Sequence, residues 1–89
     1  MRVPTIHLNG SSEEALKLPL IEAINSLHAA IRTLSENAPH ARDYYVQGDG
    51  PAFYEATKEH TDRIQKIAEV RAELCNLVEK IDEQGKPKP

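Results

Sequence analysis

Six side chains able to bind or relay charge fall within eight positions: His40, Arg42, Asp43, Tyr44, Tyr45 and Gln47. Two of the chain's three tyrosines are among them. An arginine beside tyrosines can grip a phosphate with its planar fork while an aromatic face takes a base or sugar. Arg42, Asp43, Tyr44 and Tyr45 are therefore the first candidate ligand-binding group. The plainer alternative packs the tyrosines on the end of a helix hairpin and pairs Arg42 with Asp43 or a helix carbonyl.

A second candidate group lies near the start, in Thr5-Ile6-His7-Leu8-Asn9-Gly10-Ser11. In an alternating arm His7 and Asn9 point away from the face of Ile6 and Leu8. His7 can donate, accept or stack, and Asn9 offers both a donor and an acceptor. Ser11 opens a helix, whose free amides favour an anion. The alternative is an ordinary cap with a solvated His7.

Other chemistry is poorly served. His7, His28, His40 and His60 show no i, i+4 pair, and His28 with His60 would give too few ligands for a structural zinc. Gly48-Asp49-Gly50-Pro51 lacks the lysine and the preceding strand of a phosphate loop. Local spacing places no nucleophile beside a base. The expectation is a protein without catalysis, metal or cofactor.

These groups must be held by helices. Leu20, Ile24, Leu27, Ile31 and Leu34 alternate steps of four and three, a narrow helical seam. Helix one is expected over Ser12–Asn37, capped by Ser11 with Glu14 in capping-box position. Pro19 should kink it rather than restart it. Pro39 marks its stop. Helix two should begin near Pro51, after Gly50 or Asp49, and end at Gly85. Its seam reads Phe53, Thr57, His60, Ile64, Ile67, Arg71, Leu74, Val78, Ile81. Val3–Leu8 should form an extended arm.

Folding the two helices together gives an antiparallel hairpin, turned by Asn37–Gly50. The simplest register sets Ile31 opposite Thr57, Ile24 opposite Ile64 and His28 opposite His60. Leu77, Val78 and Ile81 then overhang, and Val3, Ile6 and Leu8 should cover them, in the same chain or a neighbouring one. Arm and loop lie at opposite ends of helix one. They can form one site only between the subunits of an antiparallel dimer.

Bulk properties narrow the field further. Eighty-nine residues make one domain, here 1–84 with a disordered tail over 85–89. Two helices alone make a poor core, so a dimer or higher even oligomer is expected. The net charge of −3 argues against broad DNA binding but not against a small anion. Cys75 is the only cysteine and reads as a small buried hydrophobe. No apolar run is long enough for a membrane span, and no signal peptide is evident.

Two stretches, Thr5-Ile6-His7-Leu8-Asn9-Gly10-Ser11-Ser12 and Arg42-Asp43-Tyr44-Tyr45, resemble short uncharacterised proteins of tailed phages and prophages. In those, threonine often stands at the position of Ser11 and glycine at that of Ala41. The layout also resembles the phage anti-CBASS sponge proteins: a short arm with a histidine, a capped helix, a Pro-x-x-Arg turn and a longer helix. Here the turn is Pro39-His40-Ala41-Arg42. The sponges' tyrosine and lysine ligands have no counterpart in the arm, and no site residue is carried over from them.

The resemblance implies a counter-defence protein of the infected bacterial cytoplasm. It would sequester a small nucleotide-like signal at intersubunit sites. The other expectations are a module that inhibits a host protein through helix two, and a virion or assembly accessory.

Overall fold

The structure, a computed structural model, describes residues 1–48 and 50–86. Helix α1 spans Glu13–Glu36 and helix α2 spans Ala52–Gln84. Two 3-10 turns, Ala41–Asp43 and Tyr45–Gln47, lie between them. Among the described residues there is no strand. The two helices pack against each other as a hairpin 63 Å long and 24 by 19 Å across.

The cap of α1 is Ser12 rather than Ser11. The Ser12 side chain accepts from the amide of Ala15 at 3.1 Å. The expected reciprocal glutamate is therefore absent, because the third helical position holds Ala15. One residue of shift puts Glu13 in the first turn, one turn before Lys17. Lys17 Nζ donates to Glu13 Oε1 and to Asp82 Oδ1, each at 2.9 Å. Asp82 Oδ2 also holds Lys86, at 3.2 Å. The hydrogen bonds of Lys17 and then Lys86 hold the Asp82 carboxyl below its usual range, and those of Asp82 and Glu13 raise the Lys17 ammonium.

Pro19 does not restart the helix, which runs through it unbroken. Pro19 is exposed, so the Ala15 carbonyl that loses its i→i−4 donor can turn to solvent. Leu20, Ile24, Leu27, Ile31 and Leu34 all lie on the half-buried side, as their spacing predicts.

The register differs from the simplest one. His60 Nε2 donates to the Leu34 carbonyl at 2.6 Å. In the expected pairing Leu34 would have stood opposite Tyr54. Helix α2 is thus moved toward the loop by more than a turn. His28 is exposed and does not meet His60. Thr57 is exposed too, and its hydroxyl bonds back to the Phe53 carbonyl of its own helix at 2.9 Å. Ala52 and Ala56 replace Phe53 and Thr57 on the inner side.

The overhang of α2 consequently falls mostly at the loop end. At the other end the arm crosses the last turn of its own chain. The Gln84 amide clamps it: Ile6 N donates to Gln84 Oε1 at 3.0 Å, and Gln84 Nε2 donates to the Pro4 carbonyl at 2.8 Å. Val3 and Ile6 are half-buried here, and Ile81 has no exposed surface. Leu8, expected in this cover, is 99 % exposed. The chain has already turned, since Gly10 N donates to the His7 carbonyl at 3.1 Å.

Gly85 ends α2 with an ordinary right-handed backbone. Its need for glycine is steric, because an added Cβ would collide with the Glu13 carboxylate. Gly85 and Lys86 are exposed at this end, with Lys86 N on the Glu83 carbonyl at 3.3 Å, and Pro87–Pro89 of the expected tail lie outside the described residues, as does Asp49.

Only Ala52 and Ile81 are buried among the described residues. Cys75, expected inside, is exposed. It sits beside Leu74 but one helical step off the seam, where no second layer reaches it. Arg71 is half-buried on the seam, and its Nε has no hydrogen-bond partner. No helix among the described residues is long and apolar enough to cross a membrane.

Candidate functional site at the hairpin tip

Tight local bonding builds the tip. The His40 side chain caps the first 3-10 turn, its Nδ1 accepting from Arg42 N at 3.1 Å. The turn closes with Asp43 N on the His40 carbonyl and Tyr44 N on the Ala41 carbonyl, at 3.0 and 3.1 Å. Gln47 N on the Tyr44 carbonyl closes the second, at 3.1 Å. Gly48 then takes φ of 80°, a left-handed conformation that a side chain would oppose. The chain reverses there and enters α2.

The reversal brings Tyr44 over Phe53. Their ring centroids are 6.3 Å apart with planes tilted by 44°, a favourable aromatic geometry. Tyr44 is half-buried by this contact, while Tyr45 stays 76 % exposed. Between them opens a cleft of about 330 Å³, lined by Ala41, Tyr44, Tyr45, Gly48, Gly50 and Phe53. Nothing lies within 4 Å of where a Cβ on Gly48 or Gly50 would project, so the glycine side is open. Three aromatic walls around a space of this size suit a planar ring.

Arg42 and Asp43 share the first 3-10 turn with Ala41 but do not line the cleft. Both are exposed, and the Arg42 guanidinium makes no ion pair among the described residues. The pairing of Arg42 with Asp43 or with a helix carbonyl is not formed there. Of the sequence candidates, the tip therefore gathers Arg42, Asp43, Tyr44 and Tyr45.

His7, Asn9 and Ser11 stand at the far end of α1, whose 24 residues span about 36 Å. The His7 ring folds over Gly10, close enough that a Cβ there would meet its Nε2 at 2.6 Å. Asn9 and Ser11 are exposed. These three do not join the tip within one chain. Nor do three or more His, Cys, Asp or Glu side chains cluster as a metal site would need, among the described residues.

Phe53 is the site residue that sequence reasoning misplaced. Helical periodicity assigned it to the seam, but only the register decides whether α1 stands opposite. Phe53 lies beyond the end of α1, so a tyrosine from the loop covers it instead. Its closeness to Gly50 was the available signal, since a loop re-entering a helix must pass over the first turn. No family model, curated protein or solved structure matches the chain.

Proposed function

We propose that this protein is a non-catalytic binder of a small nucleotide-like anion, taken at the hairpin tip. Tyr44, Tyr45 and Phe53 hold the ring of the ligand, and the Arg42 fork meets its phosphate. The observation that supports this reading is the three-walled aromatic cleft beside a guanidinium that no acid among the described residues neutralises. In an oligomer His7 and Asn9 of a second copy complete the site and read polar edges of the ligand. The described lining residues offer aromatic faces and open glycine backbone, a lining that supports capture of a planar ring.

The resemblance of the two short motifs to phage and prophage proteins adds a setting. In an infected bacterium, tight capture of a nucleotide immune signal removes it from its receptor and counters host defence. The test is native mass spectrometry of protein purified from bacteria with active nucleotide-signalling defence. A nucleotide-sized adduct, released on denaturation and absent from Tyr44→Ala, supports the proposal. Wild-type protein without adduct, and without heat of binding to a nucleotide panel, refutes it.

A further inference from the structure

The hairpin exposes far more surface than its mass warrants. Its accessible surface is 6956 Å². A compact monomer of 9.9 kDa has about 5,200 Å². The excess, roughly 1,700 Å² per chain, doubles to an area typical of obligate homodimers, about 2,000–5,000 Å². The Cα radius of gyration, 19.5 Å, compares with about 12 Å for a compact chain of this length.

The ion pair at the arm end tells the two faces of the hairpin apart. Lys17 and Asp82 meet across it, so the flanks of α1 and α2 that carry them form one face. By helical spacing Ala23 and Ala30 of α1 lie on the opposite flank, as do Val70 and Leu77 of α2. That second face is small-sided on α1, and on α2 the apolar pair Val70 and Leu77 follows, by one heptad, exposed Arg63, which pairs with Glu59 at 3.9 Å. Val70 at its centre is 49 % exposed.

Just outside Val70 and Leu77 runs a row of exposed charges seven residues apart: Glu59, Lys66, Glu73 and Lys80. Its signs alternate, and the row is antisymmetric about a point beside Val70. Turning a second α2 end for end about that point sets Glu59 against Lys80 and Lys66 against Glu73, four opposite-charge pairs in all. A parallel alignment in register would oppose like charges.

We propose that a second copy of this chain covers the Ala23–Ala30–Val70–Leu77 face, with α2 antiparallel to α2 about a two-fold axis at Val70, as a four-helix bundle. The bundle stands independently of any ligand. The same register brings the arm of one copy, fixed at Gln84, level with Glu55 of the other. That is less than one turn along the axis from Phe53, so the two candidate groups lie at the same end of the bundle.

Sedimentation equilibrium, with far-ultraviolet circular dichroism as the check on folding, tests the arrangement. Wild-type protein should be a dimer, and Val70→Lys a helical monomer. Lys66→Glu should weaken the dimer about tenfold through two like-charge contacts, and Lys66→Glu with Glu73→Lys should restore it. Leu18→Lys, off the proposed face, should leave it intact. A helical wild-type monomer overturns the dimer. A dimer that Leu18→Lys breaks and Val70→Lys does not, or a double variant no better than the single, overturns the face and its direction. Nucleotide binding is measured separately on each species, so a dimer without ligand refutes only the ligand reading.

Discussion

His60 on α2 donates its Nε2 proton to the carbonyl of Leu34 in the last turn of α1, at 2.6 Å. A helix end leaves its final carbonyls without intrahelical donors. The Leu34 carbonyl, which also accepts from Asn37 N at 3.1 Å, thus takes a second donor from the other helix, and this fixes the register of the hairpin. Asn37 supports the same end, with Nδ2 on the Thr33 carbonyl at 2.7 Å. Everything at the tip follows from this register, including the exposure of Phe53 to the loop.

Replacing His60 by alanine removes that donor while leaving the seam leucines in place. The hairpin should lose about 0.5–1.5 kcal/mol, the net contribution of one hydrogen bond, since the Leu34 carbonyl keeps its bond from Asn37 N. Chemical denaturation of His60→Ala against wild type measures it. His28→Ala, at an exposed position, should be nearly silent.

The tip should separate binding from folding. Phe53→Ala and Tyr44→Ala each remove a wall of the cleft, and Arg42→Ala removes the proposed phosphate grip. Each aromatic contributes about 1–3 kcal/mol if a base stacks on it. Calorimetric affinities should therefore fall by roughly tenfold or more, with helix content unchanged. Equal affinities across wild type and the three variants would place the ligand elsewhere.

The arm depends on one amide. Gln84→Leu deletes both hydrogen bonds to Pro4 and Ile6 while keeping bulk. The expected loss is about 1 kcal/mol, because both bonds are partly solvated. Hydrogen exchange at the Ile6 amide should speed up selectively, and Ile81 should become accessible.

The ion cluster predicts a pH dependence whose direction is fixed. Asp82 is depressed below its ordinary value of 3.8, chiefly by its hydrogen bond from Lys17. Its contribution to stability is complete above that value and disappears as pH falls through the depressed one. Lys17 is raised above 10.5, so its contribution is complete below 10.5 and is lost as pH climbs through the raised value. A carboxyl NMR titration should find Asp82 below 3.8, and Lys17→Met should move it back toward that value.

Arg71 weakens the seam it occupies. Its Nε is enclosed without a partner, and a half-buried charge there contributes less than a packed aliphatic group. Arg71→Leu should raise the unfolding free energy by about 1 kcal/mol. A thermal melt that shows a loss instead would mean that the guanidinium has a partner in the assembled protein.

The helices themselves were legible in the residues. The four-three spacing from Leu20 to Leu34 put five side chains on one face, and the structure keeps all five inward. Helix ends were read to within about one residue, because caps, prolines and glycines act locally. Tyr44 and Tyr45 could be placed at a tip for the same reason, since a loop between two long helices must lie at the end of their hairpin.

Periodicity says which side of a helix is apolar, but not where its partner stands along the axis. Sliding α2 by a turn or more preserves both seams, so the sequence alone left that slide open. The His60–Leu34 bond, the Lys17–Asp82 pair and the Gln84 clamp select it, and each joins residues far apart in the chain. That choice put Ala52 inside, Phe53 under Tyr44 and Thr57 outside. Leu8 and Cys75 were misjudged for a related reason. A residue's own hydrophobicity cannot tell whether a second layer passes over it, and in this hairpin none does.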